Sequence, residues 1–102
     1  MQKLADERRG APRHFLHLWT VSRRHGSTVR EKVIVADLST GGFKMRSAVD
    51  FALHGSVFLE LTSDILAQAT VVRKHAMLPE YGARFVQPLT QVIVDRVVAK
   101  SE

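Results

Sequence analysis

The chain has 102 residues, of which 45% are hydrophobic and none is cysteine, so the sequence predicts one compact domain without disulfides or thiolate metal sites. No apolar run approaches the roughly 20 residues that a membrane-spanning helix needs, and the charged N-terminus lacks the apolar stretch of a signal peptide, so we expect a cytoplasmic protein. The formal net charge of +5 favours an anionic partner, whether a nucleotide, a nucleic acid or an acidic protein surface.

The first predicted feature is a flexible N-terminal arm over residues 1–13. This segment shows no apolar periodicity and contains Gly10 and Pro12, which disfavour regular structure. The rest of the chain, residues 14–102, is predicted to form the folded domain.

Strand patterns follow the arm. The first predicted strand, Phe15 to Val21, carries Phe15 and Trp19 on one side, and we expect these rings to pack in the core rather than to stack on nucleic acid. The charged segment 21–31 is either a ligand contact or a partner surface. Further strands are predicted from apolar runs and alternations at 32–38, 43–46, 57–61, 65–74 and 81–86.

The last segment changes from strand to helix period. Leu89, Ile93 and Val97 are spaced by four residues, which predicts an amphipathic helix over about 89–100 with Thr90 as its N-cap. Six closely spaced strands and one helix predict a mainly β fold, namely a small six-stranded antiparallel β-barrel with a C-terminal α-helix.

Two arginines of the arm form the first candidate binding motif. Arg9 and Arg13 bracket Gly10-Ala11-Pro12, and Arg8 is an adjacent third cation. A guanidinium group can hydrogen-bond a phosphate bidentately, contact guanine O6 and N7, or stack on a base. Because Pro12 disfavours a helical spacer, the two groups can wrap around a compact dianion. The alternative is that these arginines are simply solvated.

The second motif is the segment Asp37-Leu38-Ser39-Thr40-Gly41-Gly42 at the end of a predicted buried strand. The Asp37 carboxylate can accept the N1–H and N2–H groups of guanine, a pair of donors that adenine lacks. Ser39 offers a donor and an acceptor. Gly41 and Gly42 permit a positive φ and a close backbone approach where a side chain would collide with a ligand. A serine-stabilised turn without ligand is the alternative, and it is compatible with binding.

RxxxR followed by DxSxxG, in this order and spacing, resembles the PilZ domain family, whose members are receptors for the bacterial second messenger cyclic di-GMP. The resemblance extends from Glu7 to about Val98. It implies the same barrel, arm arginines that contact phosphates and guanine faces, a guanine edge held by Asp37 and Ser39, and an arm that becomes ordered on binding. One ligand molecule or an intercalated dimer is possible. The predicted ligand-binding residues are Arg8, Arg9, Arg13, Asp37, Ser39, Gly41 and Gly42.

Catalysis and metal binding have little support in the sequence. His14 and His17 are three residues apart in a predicted strand, which places them on opposite faces. Ser39 has no histidine and acid in a recognisable triad arrangement. We therefore expect no enzyme, no catalytic residue, no metal and no cofactor.

Three functions remain open. The first, implied by the resemblance, is a cyclic di-GMP receptor that signals to a downstream protein partner in a process such as motility, adhesion or polysaccharide production. The second is a PilZ-fold interaction adaptor without nucleotide binding, although this chain retains both motifs. The third and weakest is a small basic barrel that binds single-stranded nucleic acid, which would show salt-dependent affinity.

Overall fold

The computed structural model describes residues 13–24 and 26–101, so positions 1–12, 25 and 102 are left aside. The predictions for Arg8, Arg9 and nearly all of the arm therefore fall outside the described residues. The described elements follow one another as β1 (His14–Arg24), β2 (Glu31–Leu38), β3 (Gly42–Arg46), β4 (Ser56–Thr62), β5 (Ile65–Lys74), β6 (Glu80–Phe85) and α1 (Gln91–Lys100).

The six strands close into a barrel in the order β1-β2-β3-β6-β5-β4. Every neighbouring pair is antiparallel, which gives each strand a partner on both sides. The predicted fold class is confirmed. Two consecutive strands of the chain, β3 and β4, are not neighbours, because β6 and β5 lie between them on that side of the barrel.

The barrel interior is filled by one face of each strand, as the period-two pattern predicts. Phe43 and Met45 of β3 alternate with outward Lys44, and Val57, Leu59 and Leu61 of β4 are likewise buried. The core also receives Val94 and Val97 from α1.

The C-terminal helix begins at Gln91, two residues later than the predicted start, and its cap is the predicted one. Thr90 is the N-cap, and its Oγ1 accepts a hydrogen bond from the backbone N–H of Ile93 at 3.2 Å. Valine-rich sequence has poor intrinsic helix propensity. The packing of Val94 and Val97 into the core therefore stabilises this helix.

The prediction that Phe15 and Trp19 pack in the core is wrong. Their side chains lie on the outer face of β1, where Phe15 is 83% and Trp19 61% exposed. The opposite set, Leu16 and Leu18, packs against the core instead. The alternation along β1 was predicted, but both faces carry apolar residues, so the pattern does not say which face points inward.

The basic segment 21–31 lies at the opposite end of the first hairpin from Arg13. It is held by ion pairs between Arg24 and Glu31 at 3.1 Å and between Arg30 and Glu60 at 2.7 Å. Since β1 has 11 residues, its two ends are about 30 Å apart. A contact between this segment and a ligand bound beside Arg13 is therefore not supported by the geometry.

Candidate ligand-binding site

One row of residues crosses the outer surface of four neighbouring strands. Asp37 of β2 pairs with Lys44 of β3. Lys44 pairs in turn with Gly82 of β6, and Gly82 pairs with Arg73 of β5. Directly opposed residues of antiparallel strands have Cβ atoms about 5 Å apart on the same face. The barrel thus places one carboxylate and two cations in a line, with a glycine between the cations.

Asp37 forms the buried end of this row and is bound by Arg13. The Arg13 guanidinium donates from Nε to Oδ1 at 3.3 Å and from Nη2 to Oδ2 at 2.6 Å. The Asp37 side chain is only 4% exposed, whereas that of Arg13 is 55% exposed. This is the bidentate geometry in which an arginine–carboxylate pair is strongest and most directional. The structure therefore brings the second arginine of RxxxR into direct contact with the aspartate of DxSxxG.

Ser39 organises the turn that follows Asp37. Its Oγ accepts a hydrogen bond from the backbone N–H of Gly41 at 3.3 Å and donates to the carbonyl oxygen of Gly42 at 3.4 Å. Its own N–H also donates to the Gly42 carbonyl, at 2.9 Å. These bonds form the serine-stabilised turn that was the structural alternative for the motif. Contact between Ser39 and a ligand stays a prediction.

The two glycines of the turn have different surroundings. Among the described glycines only Gly26 has a positive φ, so that part of the expectation for Gly41 and Gly42 is wrong. A Cβ on Gly42 would overlap the carbonyl oxygen of Ala83 in β6, whereas a Cβ on Gly41 would meet no atom within 4 Å. Gly42 therefore permits the close approach of β6, and Gly41 leaves open space above the turn.

The turn is also tied to the segment that leads into the helix. The carbonyl oxygen of Gly41 accepts a hydrogen bond from the N–H of Phe85 at 2.9 Å, and that of Thr40 accepts one from Leu89 at 2.8 Å. These bonds satisfy backbone groups that would otherwise be left without partners at the rim of the barrel. They also fix the position of the turn relative to the end of β6.

Two adjoining clefts open over the row. The smaller, of 310 Å³, contains the predicted residues Arg13, Asp37, Ser39, Gly41 and Gly42 in its lining. The larger, of 550 Å³, extends toward the end of β5, and both volumes lie within the range of small-molecule sites. The residues that line both clefts are Arg13, Lys44, Arg73 and Gly82.

Lys44 and Arg73 are the cleft cations that sequence reasoning did not assign to the site. Among the described residues, neither side chain has an acidic or hydrogen-bonding partner. The sequence did indicate that both side chains point outward, because Lys44 alternates with buried residues of β3 and Arg73 lies at the basic end of β5. Only the pairing of both strands with β6 brings the two together, and that pairing is not visible in the sequence.

A third cation, Lys74, lines the larger cleft but is already engaged. Its ammonium donates to Asp50 Oδ1 at 2.9 Å. This hydrogen bond, with the charge of the carboxylate, raises the pKa of Lys74 and lowers the pKa of Asp50. Lys74 therefore stays charged at neutral pH, and much of its field is offset by the acid beside it.

The comparison with known families agrees with this arrangement. A family model described as PilZ domain matches residues 7–99, which covers both motifs, all six strands and most of α1. No curated protein sequence matches the chain significantly. In the part of the chain that the structure describes, no helix is long and apolar enough to cross a membrane. Within the same residues, no group of three or more histidine or acidic side chains could hold a metal ion.

Proposed function

Because the chain belongs to the PilZ domain family, whose members are binding and adaptor modules, we propose that it is a non-catalytic receptor for cyclic di-GMP. The observation that carries the proposal is the bidentate contact between Arg13 and Asp37, which joins the two motifs in the lining of one cleft. The cytoplasmic location expected from the sequence is part of this proposal.

The proposed contacts follow from the atoms that remain available at Asp37. A carboxylate has about four lone-pair positions, and Arg13 uses two of them. The others can accept the N1–H and N2–H groups of one guanine once the groups that cover this side chain, which is only 4% exposed, shift aside. The exposed face of Arg13 can stack on a base or bind a phosphate oxygen, and the open space above Gly41 allows the ligand to approach. Arg8 and Arg9 complete the proposed contacts from the arm.

The clefts also bear on stoichiometry. The larger cleft adjoins the smaller one through the four shared lining residues, so the open surface extends from Asp37 toward the end of β5. Either one molecule or an intercalated pair is compatible with the proposal.

Calorimetric titration with cyclic di-GMP tests the proposal directly, with cyclic di-AMP as the matched control. We expect saturable binding of the first ligand, much weaker binding of the second, and a molar ratio that gives the stoichiometry. Equal affinity for the two dinucleotides would contradict the guanine contact. No binding of either would favour the adaptor hypothesis, in which the barrel recognises only a protein partner.

Substitution of the arm arginines is expected to weaken binding. Arg9→Ala and Arg13→Ala each remove a charge-assisted contact, which corresponds to roughly 1.5–3 kcal/mol, or about tenfold to a hundredfold in affinity. Arg13→Ala also leaves the buried Asp37 carboxylate without its cation, so we expect a lower melting temperature for that variant alone. Arg96→Ala, on the exposed side of α1 and outside both clefts, removes the same charge and should change neither quantity.

We further propose that ligand binding orders the arm and that the combined surface recognises a downstream protein. The arm sequence offers almost no apolar side chain to bury, so ligand contacts must offset the entropy of ordering it. Deuterium-exchange mass spectrometry should show slower amide exchange over residues 1–13 with saturating ligand, while the buried strand at Val33–Ala36 stays protected throughout. Unchanged exchange in the arm would disprove the ordering mechanism even if the ligand binds.

One observation favours single-stranded nucleic acid as a second candidate partner. The outward rings of Phe15 and Trp19 could stack on bases, contrary to the expectation that they lie in the core. Trp19 is the only tryptophan, so its fluorescence reports on this face. Quenching by an oligonucleotide that cyclic di-GMP does not compete away, and that falls steeply with salt, would support this candidate.

A further inference from the structure

Lys44 and Arg73 lie on either side of Gly82 on the outer surface of the barrel. Both are paired in register with this glycine, Lys44 from β3 and Arg73 from β5. A Cβ on Gly82 would lie 3.3 Å from both Nε and Nη2 of Arg73, so the guanidinium extends across the glycine. Because Gly82 has no side chain, the Arg73 guanidinium lies over its backbone, which we call the Gly82 floor, between the strands that carry the two cations.

The acids near this floor are already bound to other cations. Asp37 is held by Arg13 at 2.6 Å, and Glu80 by Arg46 at 3.2 Å. Among the described residues, these are the two carboxylates in the lining of the clefts. Lys44 and Arg73 thus keep an uncompensated positive charge among the described residues, directly beside the carboxylate proposed to bind guanine.

We propose that Lys44, Arg73 and the Gly82 floor form a phosphate subsite built into the barrel wall. A guanidinium binds two phosphate oxygens through its planar fork, and an ammonium adds a point charge from the opposite side. Because Gly82 has no Cβ, the guanidinium can lie over the backbone of β6, where it and the Lys44 ammonium can contact one anion from two sides. The subsite takes a phosphate or phosphodiester group, and its assignment to cyclic di-GMP rests on the proposed function.

The subsite divides recognition between two parts of the molecule. Asp37 distinguishes the base, while Lys44 and Arg73 hold phosphate from strands that are ordered in the barrel. Anion binding there does not depend on the arm. A simple anion without a base should therefore bind weakly at Gly82, even to a protein whose arm arginines are substituted.

Two probes separate the subsite from the nucleotide function. The first is cyclic di-GMP affinity of Lys44→Gln and Arg73→Gln, which we expect to fall roughly tenfold each, with a shallower dependence on salt concentration. Arg96→Gln is the charge-matched control on α1 and should bind like the wild type. Gly82→Ala keeps both charges but fills the floor, and it should also weaken binding, since the Arg73 side chain must move away.

The second probe is inorganic pyrophosphate, followed through the backbone amide signal of Gly82 and the side-chain Nε–H signal of Arg73 in NMR spectra. We expect both signals to shift in the wild type and the Gly82 shift to be lost in Arg73→Gln. If pyrophosphate produces these shifts but cyclic di-GMP does not bind, the subsite stands and the proposed function fails. If cyclic di-GMP binds equally to the wild type and to both glutamine variants, or if pyrophosphate moves neither signal, the subsite is wrong.

Discussion

Asp37→Ala is expected to lower the affinity for cyclic di-GMP by about a hundredfold or more. The substitution removes the acceptor for two guanine donors, and each hydrogen bond to a charged group contributes about 1.5–3 kcal/mol. It also releases the Arg13 guanidinium, which the carboxylate holds bidentately in the cleft. An arginine that is free to adopt many rotamers must lose that freedom again when it binds the ligand.

The stability change should be smaller than the binding change, because the group left behind is the well-exposed guanidinium of Arg13 rather than a buried charge. Asp95→Ala on the exposed side of α1 is the matched control, and it should bind like the wild type. Calorimetry with both cyclic dinucleotides measures the effect. If Asp37→Ala kept the wild-type preference for guanine over adenine, the base contact would have to lie elsewhere.

Gly42→Ala is expected to destabilise the barrel itself. The new methyl group would overlap the carbonyl oxygen of Ala83, which belongs to the backbone of the neighbouring strand and cannot rotate away. Overpacking of this kind costs about 1–3 kcal/mol. For a domain of this size that corresponds to a melting temperature lower by about 5–20 °C.

Gly41→Ala, one residue earlier, is the sharpest control that the chain offers. Its methyl group would enter open space, so the melting temperature should stay close to that of the wild type. If the ligand lies over the turn, the same variant should still weaken cyclic di-GMP binding. Similar melting temperatures for the two variants would show that β3 and β6 can separate without cost, contrary to the packing described above.

The secondary structure was largely accessible from the sequence because each strand carries its own period-two signal. Val57, Leu59 and Leu61 alternate with polar or partly exposed neighbours, and the helix from Gln91 is indicated by apolar residues spaced four apart. The exception is β1, where aromatic residues alternate with leucines. Local pattern fixes which residues share a face, whereas the choice of the inward face depends on the volume that the other strands leave in the core.

The candidate site likewise has one part that could be predicted from the sequence and one part that could not. That Arg13 and Asp37 belong to one site could be anticipated, because both belong to short motifs whose chemistry is visible in the chain, but their direct contact was not predicted. The juxtaposition of Lys44 and Arg73 depends on β6, which enters the sheet between their strands although it follows both in sequence. The two motif glycines show a related limit, because a sequence identifies a glycine without showing whether its φ, a neighbouring strand or a ligand requires it.

The hydrogen bonds from Leu89 to Thr40 and from Phe85 to Gly41 connect the turn to the segment that leads into α1. A displacement of the turn must either break these bonds or carry the chain between β6 and α1 with it. That stretch also lines a separate cleft against β5, which contains Leu66 and Ile93. A displacement of the turn that kept these hydrogen bonds would therefore also change the shape of this second cleft, which shares no lining residue with the larger cleft beside Gly82.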